Sequence, residues 1–441
     1  MKANPFEGFL ILSFALLQLV QLFLSDESSP ITTPDSGTYR FPGAQWLDLQ
    51  AVLEGKRPLL ITGWYALWPN DELRVFAQSV VFVFAWSLLI LATSKLFKNR
   101  LVSGSAAIVV WLLGFSPLVA QWNVLILSES LTISFLTASL AALLTWLRNQ
   151  RVFYFQLFAV LLIGAALVRP QLFIVVLLVA ISWLLFGRRF QGMTQGYVIT
   201  SVVLVAGALL SIGQQLWNDQ NSSDDQLVGR TTWIYTNALL PSSPFAERLV
   251  QALPPQTPEC IVPKQPLGDT AGQFLIEQYR ATCPEGLVWI QENFQEVYLL
   301  FLITDPVSTT SDIARLLWQS AAMYVYGTTN SLGPNSQLSS LFALDDSRFF
   351  LLALVVIITT TLVSWRYLNT NLRKNISTLI LLTFFFGLSW VAALLLQIAD
   401  LHRTSVTSIV PINILLLIIF FSCIDELSNK KTLRQQFQTT S

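Results

Sequence analysis

The chain has 441 residues, of which 53% are hydrophobic and only 12% carry a charged side chain. Soluble domains average about 25% charged residues, so this composition excludes an ordinary soluble domain. The formal net charge is zero, and we expect no nucleic-acid partner.

Apolar runs recur along the chain, and about 20 apolar residues suffice to cross the hydrocarbon core of a membrane. A crossing segment must satisfy its own backbone hydrogen bonds, and these runs do not alternate as barrel strands do, so helices are predicted. The sequence therefore predicts an all-α integral membrane protein with about ten transmembrane helices. The predicted crossings are residues 6–24, 74–94, 102–120, 126–147, 152–168, 170–187, 195–215, 349–365, 376–398 and 405–423.

The charged residues between these runs predict the orientation. With both termini placed in the cytoplasm, the inner segments hold 14 of the 26 basic residues but only 3 of the 26 acidic residues. Every short inner loop is then basic, as the positive-inside rule requires. The first run lacks a small-x-small cleavage site near its end, which favours a retained anchor over a cleaved signal peptide. We expect a multi-pass protein of the plasma (inner) membrane.

The polar segments divide the chain into three predicted parts. Residues 1–215 form a transmembrane module that includes a first outer loop at 25–73. Residues 216–348 form a large outer loop, in which apolar positions at helical spacing over 286–303 predict an interfacial helix. Similar patterns predict helices at 271–281 and 308–326. Residues 349–441 supply the last transmembrane helices and a short cytoplasmic tail.

Two of the three cysteines, Cys260 and Cys283, lie in the large outer loop, 23 positions apart. In an oxidising compartment this arrangement favours a disulfide, and the alternative is two free thiols. The third cysteine, Cys423, lies in the last predicted crossing.

Ionisable residues collect at the predicted outer ends of the helices. They include Asp35, in the turn Pro-Asp-Ser-Gly-Thr-Tyr at 34–39, and Glu129 at the start of the fourth crossing. Arg169 lies in the turn between the fifth and sixth crossings, and His402 and Arg403 lie before the last one. Each residue also has a structural alternative. Asp35 can shape an Asx turn, and Glu129 can be an acid favoured in the first turn of a helix. Arg169 can reach the lipid headgroups, and His402 can be an ordinary loop residue.

One chemistry accommodates these residues. A sugar on a polyprenyl-phosphate carrier keeps its lipid in the bilayer and presents its phosphate at the surface. Transfer of that sugar to a hydroxyl requires a base near the acceptor, which we assign to Asp35. It also requires cations at the leaving phosphate, which predicts that Arg169, His402 and Arg403 bind the donor phosphate.

At these positions the chain resembles the GT-C superfamily of polytopic glycosyltransferases. The resemblance rests on four short motifs: Pro-Asp-Ser-Gly-Thr-Tyr at 34–39, Ser-Glu-Ser-Leu at 128–131, Val-Arg-Pro-Gln at 168–171, and the arginine loop before Pro411. It implies a GT-C-like fold with periplasmic loop helices and a catalytic acid at Asp35. It also implies that Glu129 is a second acid of the active site.

The sequence departs from the GT-C pattern in two places. Asp-Ser stands where members carry a double acid, and His-Arg-Thr-Ser stands where many carry Arg-Tyr. A divalent metal ion is compatible with the set, and its use stays open. Additional candidate substrate contacts are Tyr39, Arg40 and Arg230.

The predicted function is therefore an inverting glycosyltransferase of the cell envelope. Its expected partners are the polyprenyl-phosphate sugar, the lipid bilayer and an acceptor hydroxyl of a lipid, glycan or protein; no organic cofactor is assigned. Two alternatives remain, namely a polymerase or ligase of undecaprenyl-diphosphate-linked oligosaccharides and a non-enzymatic lipid or polysaccharide transporter.

The charge distribution generates a first testable prediction. Single cysteines at positions within 30–70 and 220–340 should react with an impermeant thiol reagent added to intact cells. Cysteines placed within 95–100 and 366–374 should react only after the membrane is permeabilised. Labelling of a cysteine at position 98 in intact cells would overturn the predicted orientation.

Overall fold

The computed structural model describes residues 5–24, 58–187, 195–221, 244–262, 279–304, 309–311, 347–365, 368–396 and 401–439. All regular elements within these ranges are helical. The α-helices are α1 (Pro5–Leu24), α2 (Leu59–Ala66), α3 (Asp71–Leu96), α4 (Arg100–Phe115), α5 (Pro117–Ala120), α6 (Ser128–Asn149), α7 (Val152–Val168), α8 (Phe173–Phe186), α9 (Gln195–Asn221), α10 (Pro244–Ala252), α11 (Pro284–Thr304), α12 (Ser347–Trp365), α13 (Thr370–Leu396) and α14 (Leu401–Thr439).

Five stretches of the described helices are long and apolar enough to cross a membrane. They are Asp71–Leu96, Ser128–Asn149, Gln195–Gln214, Thr370–Ala393 and Ser405–Asn429. The other five predicted crossings lie on shorter apolar helical stretches of 10–17 residues, namely Pro5–Val20, Arg100–Phe115, Val152–Val168, Pro170–Phe186 and Val355–Trp365. The long apolar helices fit a multi-pass α-helical membrane protein, and the count of ten crossings stays a prediction.

Helix α6 is the most deeply buried of the five candidate crossings, with 83% of its apolar window inside the structure. It packs against α3 on one side and α7 on the other. Small polar residues allow close approach: the Ser139 hydroxyl donates to the Phe158 carbonyl of α7 at 3.2 Å. Gly164 of α7 lies against the ring of Phe135. Serine and glycine at helix contacts are typical of helix packing in membranes.

A very short turn joins α6 to α7. Gln150 ends α6 in the left-handed conformation, with φ of 54°, and its backbone N–H donates to the Trp146 carbonyl at 2.7 Å. Helix α7 begins two residues later at Val152. The two helices are consequently antiparallel neighbours, and the first turn of α6 lies beside the last turn of α7.

The chain divides into two compact units. The first comprises residues 1–216, 322–389 and 406–441, and the second comprises residues 217–321 and 390–405. The candidate crossing helices α3 and α6 both belong to the first unit. The three-part division into 1–215, 216–348 and 349–441 stays a prediction.

The second unit has its own small hydrophobic core, in which α11 is the main element. Its buried residues are Leu249, Ile261, Tyr279, Cys283, Leu287, Trp289, Ile290, Phe294, Tyr298 and Phe301. The predicted helix at 286–303 is confirmed, and it extends from Pro284 to Thr304. Burial raises the pKa of the Tyr279 and Tyr298 phenols, so both stay neutral at physiological pH. The predicted helices at 271–281 and 308–326 lie largely outside the described residues.

A disulfide between Cys260 and Cys283 closes this core. Their Cα atoms are 6.0 Å apart, a separation that a disulfide normally spans, so the predicted pairing is present. Cys283 is buried, and α11 begins directly after it at Pro284. A Cβ atom at Gly286 would collide with the Cys283 sulfur and with the side chain of Ile261, so the first turn of α11 requires glycine there.

The bridge generates a second prediction. Replacing both cysteines, Cys260→Ser with Cys283→Ser, should lower the free energy of unfolding by about 3 kcal/mol, because the unfolded chain regains the freedom of the closed loop. Thermal unfolding in detergent, with and without a reductant, measures this change. The reductant should lower the midpoint of the wild type and leave that of the double variant unchanged. A wild type insensitive to the reductant, together with a fully stable double variant, would show that the bridge contributes nothing.

Candidate functional site

The first turn of α6 is polar and fully inside the structure. Ser128, Glu129 and Ser130 are all buried, and Glu129 has no exposed surface. The Ser128 hydroxyl donates to Oε2 of Glu129 at 3.4 Å. Leu127, which precedes the helix, is extended and offers no side-chain cap. The helix start therefore places a carboxylate inside the protein.

Arg169 lies opposite, at the residue that ends α7. Its backbone N–H donates to the Ala165 carbonyl at 2.9 Å, which completes the last turn of the helix. Its guanidinium Nη1 donates to Oε1 of Glu129 at 2.6 Å. The arginine side chain is only 9% exposed, so the two residues form a buried ion pair across 40 positions of sequence.

The helix ends favour this arrangement of charges. A helix carries partial positive charge at its N-terminus and partial negative charge at its C-terminus. Glu129 lies in the first turn of α6 and Arg169 at the C-terminal end of α7, so each charge faces the favourable end of its own helix. Each partner also compensates the burial of the other, since removing one would leave a single charge inside the protein.

A network of hydrogen bonds fixes the segment that leads into α6. The amide of Gln78 donates to the carbonyls of Asn123 and Leu125, at 2.6 and 2.9 Å. The hydroxyl of Tyr65, on the short helix α2, donates to the Leu127 carbonyl at 2.9 Å. Ser130 donates to Oδ1 of Asn123 at 2.9 Å. Helices α2 and α3 thus hold the backbone directly before Glu129.

Three amide side chains at this end of the helices have buried atoms without a hydrogen-bond partner among the described residues. The atoms are Nδ2 of Asn123, Nε2 of Gln171 and Oε1 of Gln214. The Nε2 group of the same Gln214 side chain donates to the carbonyl of Leu167 at 3.1 Å, and Leu167 lies two residues before Arg169. Buried amide groups nearly always find a partner. We call these three residues the amide group, and a polar ligand or ordered water would satisfy it.

The structure brings together two of the predicted site residues, Glu129 and Arg169. Asp35, Tyr39, Arg40 and Arg230 lie outside the described residues, so their assignments stay predictions. His402 and Arg403 were expected in a loop, but helix α14 already begins at Leu401 and includes both. The apolar pattern marks only the hydrocarbon-length part of a helix, and this helix begins one turn before the predicted crossing and continues to Thr439 through the predicted tail. The side chains of these two residues lie outside the described part of the chain.

The sequence analysis did not identify Tyr65, Gln78 or the amide group. One signal was present in the sequence: Gln78 and Gln214 are amides inside predicted crossings, where unpaired polar groups are costly and polar side chains usually bond to a neighbouring helix. Asn123 lies between two predicted crossings and Gln171 at the very start of one, positions where an amide is common and indicates nothing specific. Both lie in short 3-10 helices, Gln121–Val124 and Pro170–Leu172.

One cluster in the second unit has the composition of a metal site. Donor atoms of Cys260, Cys283 and Glu285 lie within 4.8 Å of one another. Both sulfur atoms are bonded to each other in the disulfide, so neither is a thiolate, which is the form of cysteine that binds a metal ion. This cluster is therefore a structural bridge.

Comparisons of the chain with protein-family models, with curated proteins and with solved structures yield no match.

The ion pair generates a third prediction. Glu129→Met and Arg169→Met should each lower the free energy of unfolding by about 3–5 kcal/mol, because each leaves an unpaired buried charge. The double variant should recover most of that loss, since it buries no charge. Denaturant titration of the purified protein, followed by circular dichroism, measures the four stabilities.

A matched control uses another ion pair of the described residues, Arg74 with Asp71 at 2.6 Å. That pair is nearer the surface, and Asp71→Asn should cost less than about 1 kcal/mol. Losses that simply add in the Glu129 and Arg169 double variant would contradict a direct coupling between the two side chains.

Proposed function

We propose that the protein is an inverting membrane glycosyltransferase with a GT-C-like fold. It transfers a sugar from a polyprenyl-phosphate carrier to the hydroxyl of a lipid, glycan or protein acceptor. The reaction takes place on the outer face of the plasma (inner) membrane, with both termini in the cytoplasm. The loop at 216–348 is then periplasmic.

The observation that supports this proposal most strongly is the group of buried polar residues at one end of an apolar bundle. The Glu129–Arg169 pair and the amide group lie where α6 begins and α7 ends. A purely structural ion pair accounts for the two charges but leaves three buried amide atoms without a partner among the residues that the structure describes. A ligand rich in hydroxyl and phosphate oxygens supplies both donors and acceptors for them.

Arg169 is suited to the phosphate of the carrier. A guanidinium has five N–H donors in a rigid fork, and the Glu129 bond at 2.6 Å uses one of them. The remaining donors can pair with a second oxyanion. In this arrangement Glu129 orients the arginine and offsets its charge while no donor is bound, so we assign Glu129 a positioning role in the active site.

Asp35 acts as the general base in the proposed reaction. Its carboxylate accepts the proton of the acceptor hydroxyl while that oxygen attacks the anomeric carbon. The bond between the anomeric carbon and the phosphate oxygen breaks, and its electron pair leaves with the polyprenyl phosphate. One displacement of this kind inverts the anomeric configuration. Arg169 stabilises the charge that grows on the leaving phosphate, and His402 and Arg403 keep the same role as predictions from the sequence.

The two alternatives differ in what they require. Ion-coupled transporters place charged residues or broken helices near mid-membrane, whereas Glu129 and Arg169 lie at helix ends. A polymerase or ligase acting on diphosphate-linked oligosaccharides would use the arginines but would not require Asp35. The dependence of the reaction on Asp35 therefore separates the two enzyme classes.

The fourth prediction tests the base and the phosphate site together. Asp35→Asn should lower the rate of sugar transfer about 10²–10⁴-fold, since it keeps the shape of the side chain but removes the base. Arg169→Lys keeps the positive charge but loses the forked guanidinium. It should therefore bind the donor more weakly than the wild type and more tightly than a variant with a neutral residue at this position. The assay is transfer of labelled sugar from a polyprenyl-phosphate donor by the purified protein in lipid.

Asp48→Asn is the matched control, because it removes an acid from the same predicted outer loop, and it should transfer at the wild-type rate. Wild-type transfer by Asp35→Asn would exclude Asp35 as the base and favour the polymerase. If neither sugar nor oligosaccharide is transferred by the wild type, while the lipid crosses the membrane, the protein is a transporter.

A further inference from the structure

A second candidate site lies at the opposite end of α6 from the ion pair. A cavity of about 90 Å³ is enclosed by α6, α7, α8 and α13, and its walls include the rings of Trp146, Phe155, Trp183 and Phe385. Helix α6 has 22 residues, so about 30 Å separates the two ends at 1.5 Å per residue. That length matches the hydrocarbon thickness of a bilayer.

The cavity opens at the surface of the helices. Two of its lining residues, Phe186 and Leu381, are 44% and 38% exposed. The neighbouring Leu185 and Phe384 are 65% and 58% exposed, so the mouth is surrounded by apolar side chains. An apolar cavity of this size does not hold water well. In a membrane its natural content is part of a lipid chain.

One wall of the cavity offers a hydrogen-bond donor. The indole Nε1 of Trp183 is buried and has no acceptor among the described residues. The ring is held in place because it stacks on Phe155 at 4.1 Å between centroids, and on Tyr197 at 5.9 Å. A buried indole N–H normally finds a partner. The occupant should therefore carry an acceptor oxygen beside its apolar chain.

Three basic residues lie at the ends of the helices that line the cavity. Arg148 and Arg151 flank the turn between α6 and α7, and Lys374 lies one helical turn before the cavity residue Thr378. The Asn375 amide donates to the Leu147 carbonyl at 3.5 Å, which brings the start of α13 to the end of α6. All three basic side chains are exposed, and none forms an ion pair with a described residue. We call them the basic rim.

The three acidic residues predicted at this end have other partners, and Glu7 accepts from the Ser94 hydroxyl at 3.2 Å. Asp425 accepts from the backbone amides of Lys98 and Asn99, at 3.2 and 2.8 Å. Glu426 lies 3.4 Å from the Asn369 amide. The basic rim therefore keeps its positive charge available to a ligand.

From these observations we propose that the cavity binds an acidic phospholipid of the leaflet on this side. Part of one acyl chain fills the aromatic cavity, the indole N–H of Trp183 donates to the ester carbonyl of that chain, and the basic rim pairs with the headgroup phosphate. Juxtamembrane basic residues attract anionic headgroups, and here the apolar cavity adds a place for the chain.

The geometry separates this lipid from the proposed donor. A polyprenyl-phosphate donor held by Arg169 has its phosphate about 30 Å away, at the other end of α6. A phosphate on the basic rim belongs to a different molecule in the opposite leaflet. A failure of the lipid proposal would therefore not contradict the glycosyltransferase proposal, and the reverse also holds.

Native mass spectrometry of the full-length protein, titrated with phosphatidylglycerol or phosphatidylcholine of identical acyl chains, tests the proposal. The wild type should bind phosphatidylglycerol more tightly. The double variant Arg148→Gln with Lys374→Gln should lose about 10- to 30-fold of that affinity and approach the phosphatidylcholine value. The control, Lys95→Gln with Arg100→Gln, removes one lysine and one arginine at the same membrane end and should bind as the wild type does.

A cavity variant tests the chain site. Trp183→Phe keeps an aromatic ring but removes the donor, and it should weaken both lipids about three- to tenfold, since both carry an ester carbonyl. Equal wild-type affinity for the two lipids would overturn the proposal. So would an equal loss in the rim and control variants, which would indicate a diffuse electrostatic effect. Displacement of phosphatidylglycerol by equimolar undecaprenyl phosphate would assign the cavity to a polyprenyl lipid instead.

Discussion

A buried charge pair at the junction of α6 and α7 constrains the rest of the helical unit. Burying Glu129 or Arg169 without its partner would strongly destabilise the protein. The N-terminal end of α6 must therefore lie against the C-terminal end of α7. The tight turn at Gln150 makes the helices antiparallel, and the packing of serine and glycine between them sets their register. Helices α2 and α3 then hold the segment before Glu129 through Tyr65 and Gln78.

The sequence predicted the helices far better than it predicted their contacts. Apolar runs locate α3, α6 and α13 well, because burial in lipid or protein imposes the same composition over a whole helix. Glu129 and Arg169 were each identified singly, since a charged residue at the edge of an apolar run is conspicuous. Their pairing depended on the register of α6 against α7, which periodicity alone does not encode.

The amides of Gln78 and Gln214 escaped prediction for a different reason. A single glutamine lowers the hydropathy of a crossing very little, so Gln78 and Gln214 leave the helix assignment unchanged. Their partners are backbone carbonyls, such as that of Leu167, which every residue carries and no pattern distinguishes. The sequence therefore does not indicate which backbone carbonyl accepts the hydrogen bond of each side-chain amide.

The turn at Gln150 has a consequence for the synthesis of the protein. Glu129 is added to the growing chain 40 residues before Arg169, so α6 emerges first with a carboxylate that has no partner. Released alone into lipid, that helix would carry an uncompensated charge. Once α7 follows through the turn, the two side chains compensate each other, so a hairpin of α6 and α7 that crosses the membrane carries no net charge from this pair. If both helices cross, holding α6 at the insertion machinery until Arg169 has been translated would spare it that cost.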